Sequence, residues 1–201
     1  MEILENPTLS KKELDDVVKI HMETFEGFFL TFLGKGFLTQ MYKGFIDHTN
    51  SGLIVAKYNG KIVGVLAYSE DLSAFYKYLI KTKLPQFFWF SLGALIKKPS
   101  SMIRLIRALF KPTEVKRREK YIELSSIGVC PEVKGQHIGT SMIDKLKEMF
   151  DKKEFAYINL ETDAIDNDGA NAFYIKNDFK LVRSFETPEG RKMNEYRWCR
   201  E

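Results

Sequence analysis

Two stretches of this 201-residue chain combine residue types that could bind a phosphorylated ligand and transfer a proton. The first runs from Tyr121 to Thr140 and reads as a strand, a loop that contains Gly135, and the start of a helix near Gly139. The first N–H groups of a helix have no acceptor within it and lie at the positive end of its dipole. A strand–loop–helix unit of this kind favours the binding of phosphate groups.

The second stretch, from Asn167 to Phe179, places the phenol of Tyr174 in a short helix pattern. A phenol held beside a reacting group can act as a general acid and protonate the group that leaves. Together the two stretches predict an enzyme that holds a pyrophosphate and offers a proton to a leaving group. The structural alternative is that Phe173 and Tyr174 only pack in the core.

Two carboxylates are candidates for a general base. Glu123 lies on the strand pattern Tyr121–Val129, and Glu161 lies on a further strand pattern, Tyr157–Thr162. An amine with a pKa of about 10 has to lose a proton before it can attack at neutral pH, and a carboxylate can accept it. The sequence leaves the choice between the two open, and a carboxylate that only pairs with Lys or Arg is the structural alternative.

The two stretches resemble the signatures of the GNAT superfamily of N-acetyltransferases, which transfer acyl groups from acyl-coenzyme A to amines. The pyrophosphate loop of that family, Gln/Arg-x-x-Gly-x-Gly/Ala, falls on Lys134-Gly135-Gln136-His137-Ile138-Gly139. Lys134 keeps a cation where the family has Gln or Arg. His137 stands at a glycine position, so its side chain must point away from the ligand. The second signature, Asn-x-x-Ala-x-x-Phe-Tyr-x-Lys-x-Gly-Phe, is met except that Asp178 replaces the glycine.

The resemblance implies that acetyl-CoA is the co-substrate. No Cys/His cluster in the sequence has the spacing of metal ligands, so we expect no metal. The resemblance also implies that Tyr174 protonates the coenzyme A thiolate and that Glu123 or Glu161 is the base. The main chain of Ile127 and Val129 is expected to pair with the pantetheine arm. The donor-binding residues that the resemblance implies are Ile127, Val129, Lys134, Gly135, Gln136, His137, Ile138, Gly139, Thr140, Asn167, Ala170, Phe173, Tyr174 and Lys176.

The implied fold is α/β, with a mixed, mostly antiparallel twisted sheet of about six or seven strands between helices. Local signals agree with it. Ser10 and Glu13 form a capping-box pattern at the start of a helix that runs to about Phe25. Asn59-Gly60 predicts a hairpin between strands at 52–58 and 61–69. A closing hairpin is predicted across 180–198.

Residues 70–119 read as a helical insertion between the third and fourth strands of a single acyltransferase domain, 1–201. Helices are predicted at Leu72–Lys83, Gln86–Lys97 and Ser101–Phe110, with Pro85 ending the first. From Lys97 to Lys120 there are nine basic and two acidic residues. We expect the insertion to form a lid or a substrate wall.

Composition narrows the class of protein. A chain that is 44% hydrophobic and 29% charged can fold around a core, and a net charge of +4 does not by itself indicate nucleic acid. Two cysteines are too few for a disulfide framework, so we expect a cytoplasmic protein. No apolar run is long enough for stable membrane insertion.

The predicted reaction is acetyl transfer to a primary amine of a small molecule, with an amino sugar as one candidate, by direct attack in a ternary complex. A non-catalytic acyl-CoA sensor and a protein or peptide N-acetyltransferase are the alternatives. A homodimer is compatible with this prediction.

Overall fold

A computed structural model describes residues 1–97 and 119–200. The strands are β1 (Glu2–Glu5), β2 (Ser51–Tyr58), β3 (Lys61–Ser69), β4 (Tyr121–Val129), β5 (Tyr157–Asp163), β6 (Lys180–Glu186) and β7 (Lys192–Trp198). The helices are α1 (Lys11–Thr24), α2 (Phe29–Phe32), α3 (Lys35–Asp47), α4 (Leu72–Lys97), α5 (Ile138–Glu148) and α6 (Asp168–Lys176). The predicted helix Ser101–Phe110 lies outside the described residues.

The strands form one seven-stranded sheet in the order β1-β2-β3-β4-β5-β7-β6. Each neighbouring pair is antiparallel except β4 and β5, which are parallel. The connection between these two runs through α5, as a parallel pair requires. The predicted fold class, a mostly antiparallel mixed sheet with a helical insertion between β3 and β4, is confirmed.

Helices cover both faces of the sheet and bury a separate hydrophobic core on each. On one face α1, α3 and α4 pack over residues such as Val55 and Val65. On the other face α5 and α6 pack over Ile54, Leu66 and Ile122. Because successive residues of a strand point to opposite faces, near-continuous apolar runs such as those of β2 and β3 supply both cores at once.

The predicted capping box starts α1. The N–H of Glu13 donates to Ser10 Oγ at 3.3 Å, and the N–H of Ser10 donates to the Glu13 carboxylate at 2.8 Å. The Asn59-Gly60 turn joins β2 and β3 with both residues in the left-handed region, at φ 49° and 73°. These local patterns needed no tertiary information to be identified.

The prediction that Pro85 ends a helix is wrong, because α4 continues through it from Leu72 to Lys97. Proline removes one helical hydrogen bond and strains the preceding turn, at a cost of about 3 kcal/mol. Packing on both sides of the proline offsets that cost. The Phe75 ring stacks on Phe45 at 4.2 Å before it, and the Phe87 ring lies 4.5 Å from Phe37 after it. Both contacts dock α4 on α3.

In the part of the chain that the structure describes, no helix is long and apolar enough to cross a membrane.

Candidate active site

The parallel strands β4 and β5 separate part-way along their length. They pair only at Tyr121, Ile122 and Glu123 of β4, although β4 continues to Val129 and β5 to Asp163. On its other side β4 stays paired with β3, where the register shifts between Ala67 and Tyr68 and leaves one extra residue, Ser125, on β4. Such a bulge bends a strand and strengthens its twist. We call the space between residues 124–129 of β4 and residues 160–163 of β5 the interstrand gap.

The loop after β4 places a helix start beside this gap. Gly135 and His137 both take left-handed conformations, at φ 84° and 58°, and α5 begins at Ile138. The first helical bond runs from the N–H of Ser141 to the carbonyl of His137 at 3.0 Å. The N–H groups that precede Ser141 in the helix therefore have no helical acceptor. Residues 134–137 are exposed, so the side chain of Lys134 can add a cation to these donors.

His137 keeps the backbone conformation for which the family uses glycine. Histidine is among the non-glycine residues that adopt the left-handed region more often than most. Asp178 does the same at the second replaced glycine, with φ 62°. Neither departure from the family signatures therefore changes the path of the main chain.

The two signatures meet in space at Gly139 and Phe173. A Cβ atom added to Gly139 would lie 3.0 Å from the Phe173 ring. Because Gly139 has no side chain, α6 can approach α5 closely at this point. The contact fixes the position of Tyr174 relative to the loop at 134–137. Ile127 and Val129 of β4 pack against the same core. Gln136 and Lys176 are exposed, whereas Thr140 and Ala170 are half-buried.

Tyr174 is buried, with 8% of its surface exposed. Its ring lies 5.4 Å from Phe173 and 6.0 Å from both Phe179 and Tyr196. Burial raises the pKa of the phenol above its ordinary value. The phenol therefore stays protonated at neutral pH, as a proton donor must.

The two candidate bases point to the face of the sheet that α4 covers. Asn159 Nδ2 donates to the Glu123 carboxylate at 2.8 Å, at the last paired position before the strands separate. Glu161 lies two residues further along β5, on the same face as Asn159. Burial, and then the charges of Glu123 and Glu161, raise the pKa of Tyr76 on α4 to about 12. Tyr76 thus lies close to both carboxylates.

Neighbouring acidic residues of this face are held in ion pairs. Glu195 faces Glu161 across the β5–β7 pair and is fully buried. Its carboxylate accepts from Arg183 at 2.6 Å and from Arg197 at 2.8 Å. Asp163 accepts from Arg191 at 2.7 Å. These contacts reserve Glu195 and Asp163 for structural roles.

Asn167 and Asn171 fasten the turn between β5 and α6. Asn167 Nδ2 donates to Thr162 Oγ1 at 2.7 Å, and Asn171 Nδ2 donates to the Asp163 carbonyl at 2.9 Å. The Oδ1 atom of Asn171 accepts from the Tyr196 hydroxyl at 2.8 Å. In this arrangement the side chains of Asn167 and Asn171 serve the turn. Asn159, which contacts Glu123, and Tyr76, which lies near both candidate bases, were not identified from the sequence.

A second polar group lies inside the face covered by α1 and α3. His21 is buried, and its Nδ1 lies 2.8 Å from the Tyr42 hydroxyl. Tyr42 also hydrogen-bonds Ser126 of β4. Burial lowers the pKa of His21 to about 4, so the imidazole is neutral at neutral pH.

This burial predicts a loss of stability in mild acid. Below its ordinary pKa of 6.5, His21 takes up a proton in the unfolded chain but not in the folded protein until about pH 4. Stability therefore falls as pH falls through this window, on the order of 1–2 kcal/mol between pH 7 and pH 5. The free energy of unfolding of the His21→Gln variant should fall by less than that of the wild type over this range. Urea unfolding at both pH values measures the difference.

Comparison of the wild type with the His21→Gln variant isolates the contribution of His21 to the pH dependence of stability from that of other titrating groups. The pKa of His48 is also lowered by burial, and it contributes equally to both proteins. Glu13, whose pKa is lowered to about 2 by its hydrogen bond to Lys57, loses its contribution only at lower pH. Equal pH dependence in the wild type and the variant would contradict the assignment.

Known structures share this fold. A polyamine N-acetyltransferase from Drosophila melanogaster, described as forming N-acetylagmatine, has a TM-score of 0.62 at 11% identity and covers 98% of this chain and 99% of its own. The ribosomal-protein-S18-alanine N-acetyltransferase of Escherichia coli has a TM-score of 0.55 at 13% identity, covering 98% and 92%. A Bacillus anthracis protein that is named for streptothricin acetyltransferase activity, and was solved with acetyl coenzyme A, has a TM-score of 0.52 at 13% identity, covering 80% and 68%.

At these identities the structures establish the fold. No curated protein matches the chain at the level of sequence. The model of the acetyltransferase (GNAT) family, however, matches residues 14–179, which is most of the chain and includes both signatures. The chain therefore belongs to the GNAT family of acetyltransferases, which confirms the predicted enzyme class and acetyl-CoA as its co-substrate.

Proposed function

We propose that this protein transfers an acetyl group from acetyl-CoA to a primary amine of a small molecule, by direct attack in a ternary complex. The observation that carries the proposal is the interstrand gap. Helix-start amides lie beside one end of it, and Glu123, held by Asn159, lies at the other end. A donor that lies in the gap would reach from the phosphate-binding loop to a base.

Binding of the donor would use the main chain more than side chains. The N–H groups of residues 134–140 would hold the pyrophosphate at the positive end of α5. The main chain of Ile127 and Val129 would pair with the amides of the pantetheine arm, since β4 has a partner strand on its other side there. This pairing would carry the thioester towards Ser125 and Glu123.

The chemistry would then need two proton transfers. Glu123, directly or through a water molecule, would accept the proton of the amine as its nitrogen attacks the thioester carbonyl. As the C–N bond forms and the C–S bond breaks, Tyr174 would protonate the departing thiolate. We propose Glu123 as the base, because its hydrogen bond from Asn159 fixes it at the point where the gap begins. Glu161 is the second candidate.

A small acceptor fits the covering helix. α4 lies over the face that holds both carboxylates and brings Tyr76 next to them. The three similar structures carry names that refer to a polyamine, a ribosomal protein and streptothricin, so the fold alone does not choose the acceptor. An aromatic wall can stack on a sugar ring, which keeps an amino sugar among the candidates.

Calorimetric titration with acetyl-CoA tests the donor site. The Lys134→Glu variant should weaken binding about tenfold, because it replaces a cation at the phosphate loop with an anion. Lys152→Glu is the matched control, since this exposed lysine follows the opposite end of α5. Equal weakening by both variants, or none by Lys134→Glu, would contradict the proposed loop.

An acceptor screen tests the reaction. Release of free thiol is followed with amino sugars, polyamines and peptides that carry a free N-terminus. Turnover with a small amine supports the proposal. Turnover with peptides alone identifies a protein acetyltransferase, and tight donor binding without turnover of any amine identifies a sensor.

A further inference from the structure

A cavity of about 90 Å³ lies beside the interstrand gap, between β4 and the helices of the first core. Its walls are mostly apolar or aromatic and come from α2, α3 and α4. Three polar residues complete the lining at β4 and α1. Met41 of α3 and Tyr76 of α4 belong to the apolar and aromatic walls, and the three polar residues are His21, Ser125 and Ser126.

The chemistry of the walls excludes a charged occupant. Among the described residues that line the cavity, none is an acid, a lysine or an arginine. The one titratable base, His21, is neutral at neutral pH because burial lowers its pKa to about 4. A protonated amine in this space would have no counter-charge among the lining residues, and its desolvation would be costly. An aliphatic chain would instead replace empty apolar space with contacts.

The cavity extends to the position on β4 where the thioester of a bound donor would lie. Ser125, the extra residue in the bulge of β4, lines the cavity and is also exposed. A donor that pairs with Val129 and then Ile127 advances about 6.6 Å for each two residues of strand and reaches Ser125 next. The acyl group would therefore lie beside the cavity.

We propose that this cavity receives the acyl chain of the donor, so that the enzyme uses short-chain acyl-CoAs such as butyryl-CoA and isovaleryl-CoA as well as acetyl-CoA. The inference rests on the proposed function, because it needs a donor bound in the interstrand gap. Transfer of a longer acyl group follows the same steps as acetyl transfer. The amine nitrogen bonds to the carbonyl carbon of the longer thioester and gives up a proton to the base, the C–S bond breaks, and the coenzyme A sulfur takes up a proton.

The volume sets the chain length. A cavity of about 150 Å³ holds the six carbons of benzene, or about 25 Å³ for each carbon. The present cavity of about 90 Å³ then holds about three or four carbons beyond the carbonyl. Butyryl has three and isovaleryl has four, whereas octanoyl, with seven, exceeds the space.

The amine of the acceptor belongs on the other side of Tyr76. This side chain lines the cavity and also lies close to Glu123 and Glu161. Tyr76 thus belongs both to the cavity wall and to the surroundings of the two carboxylates that could take up a proton. An apolar group of the acceptor could occupy the cavity instead of the acyl chain. The Met41 substitutions described below distinguish these two occupants.

Titration calorimetry with coenzyme A, acetyl-CoA, butyryl-CoA and octanoyl-CoA tests the inference without knowledge of the acceptor. Two added methylenes buried in the cavity should tighten butyryl-CoA binding about tenfold relative to acetyl-CoA. Octanoyl-CoA should bind more weakly than butyryl-CoA. Acetyl-CoA that binds at least as tightly as butyryl-CoA would overturn the inference while leaving the proposed function intact. Failure of all four to bind would overturn the proposed function itself.

Substitutions of Met41 test the location of the chain. Met41 on α3 is buried and lines the cavity, and it is not one of the proposed catalytic groups. Met41→Phe should fill the space and abolish the preference for butyryl-CoA, and Met41→Ala should shift the optimum to hexanoyl-CoA. Circular dichroism checks that both variants are folded. Variants that change the choice of acceptor but leave the order of donors unchanged would assign the cavity to the acceptor and overturn the inference.

Discussion

Replacement of Glu123 by Gln is expected to lower kcat by a factor of about 10²–10⁴, the usual contribution of a general base. The amide oxygen of Gln can still accept the hydrogen bond that Asn159 donates at 2.8 Å, so the geometry at the start of the interstrand gap should persist. What is lost is the capacity to take up the amine proton. Affinity for acetyl-CoA should therefore stay within about twofold.

Glu161→Gln is the matched comparison, because it makes the same change on the neighbouring strand. Its side chain faces the buried Glu195, which already accepts bonds from Arg183 and Arg197. We expect a decrease in kcat of less than about tenfold. Steady-state rates with a saturating amine, at pH 6 to 9, measure both variants. A larger decrease for Glu161→Gln would move the base to β5, and small decreases for both would exclude a carboxylate base on this face.

Local patterns in the sequence were enough to predict most elements. The Ser10 capping box, the Asn59-Gly60 turn and the loop at 134–139 each depend on a few adjacent residues, and their backbone conformations follow from residue type. The failure at Pro85 has the opposite cause. The local rule ends a helix there, but the stacking of Phe75 and Phe87 against α3 decides the outcome.

The missed site residues depend on register between distant strands. Asn159 reaches Glu123 because β5 pairs with β4 at that position, 36 residues apart along the chain. A shift of one residue would turn Asn159 to the opposite face. Tyr76 reaches the carboxylates only because α4 crosses above them. Neither contact leaves a signal in the spacing of residues, whereas Tyr174 could be identified from its position in a family signature.

Replacement of Tyr174 by Phe is expected to lower kcat by about 10²-fold or more, because the thiolate would then leave without a proton donor. Burial raises the pKa of this phenol, so it carries its proton throughout the working range of pH. The ring keeps its contacts with Phe173, Phe179 and Tyr196, so the affinity for acetyl-CoA and the thermal stability should change little.

Tyr196→Phe removes the same hydroxyl from the neighbouring ring and separates the two roles. The Tyr196 hydroxyl donates to Asn171 at 2.8 Å, and loss of this bond should lower the free energy of unfolding by about 1 kcal/mol. Its kcat should remain within about threefold of wild type, since we assign the hydroxyl to the fold and not to proton transfer. Thiol-release kinetics and thermal melts of both variants give the comparison. If Tyr174→Phe behaves like Tyr196→Phe, with reduced stability and full activity, Tyr174 is a core residue and another group protonates the sulfur.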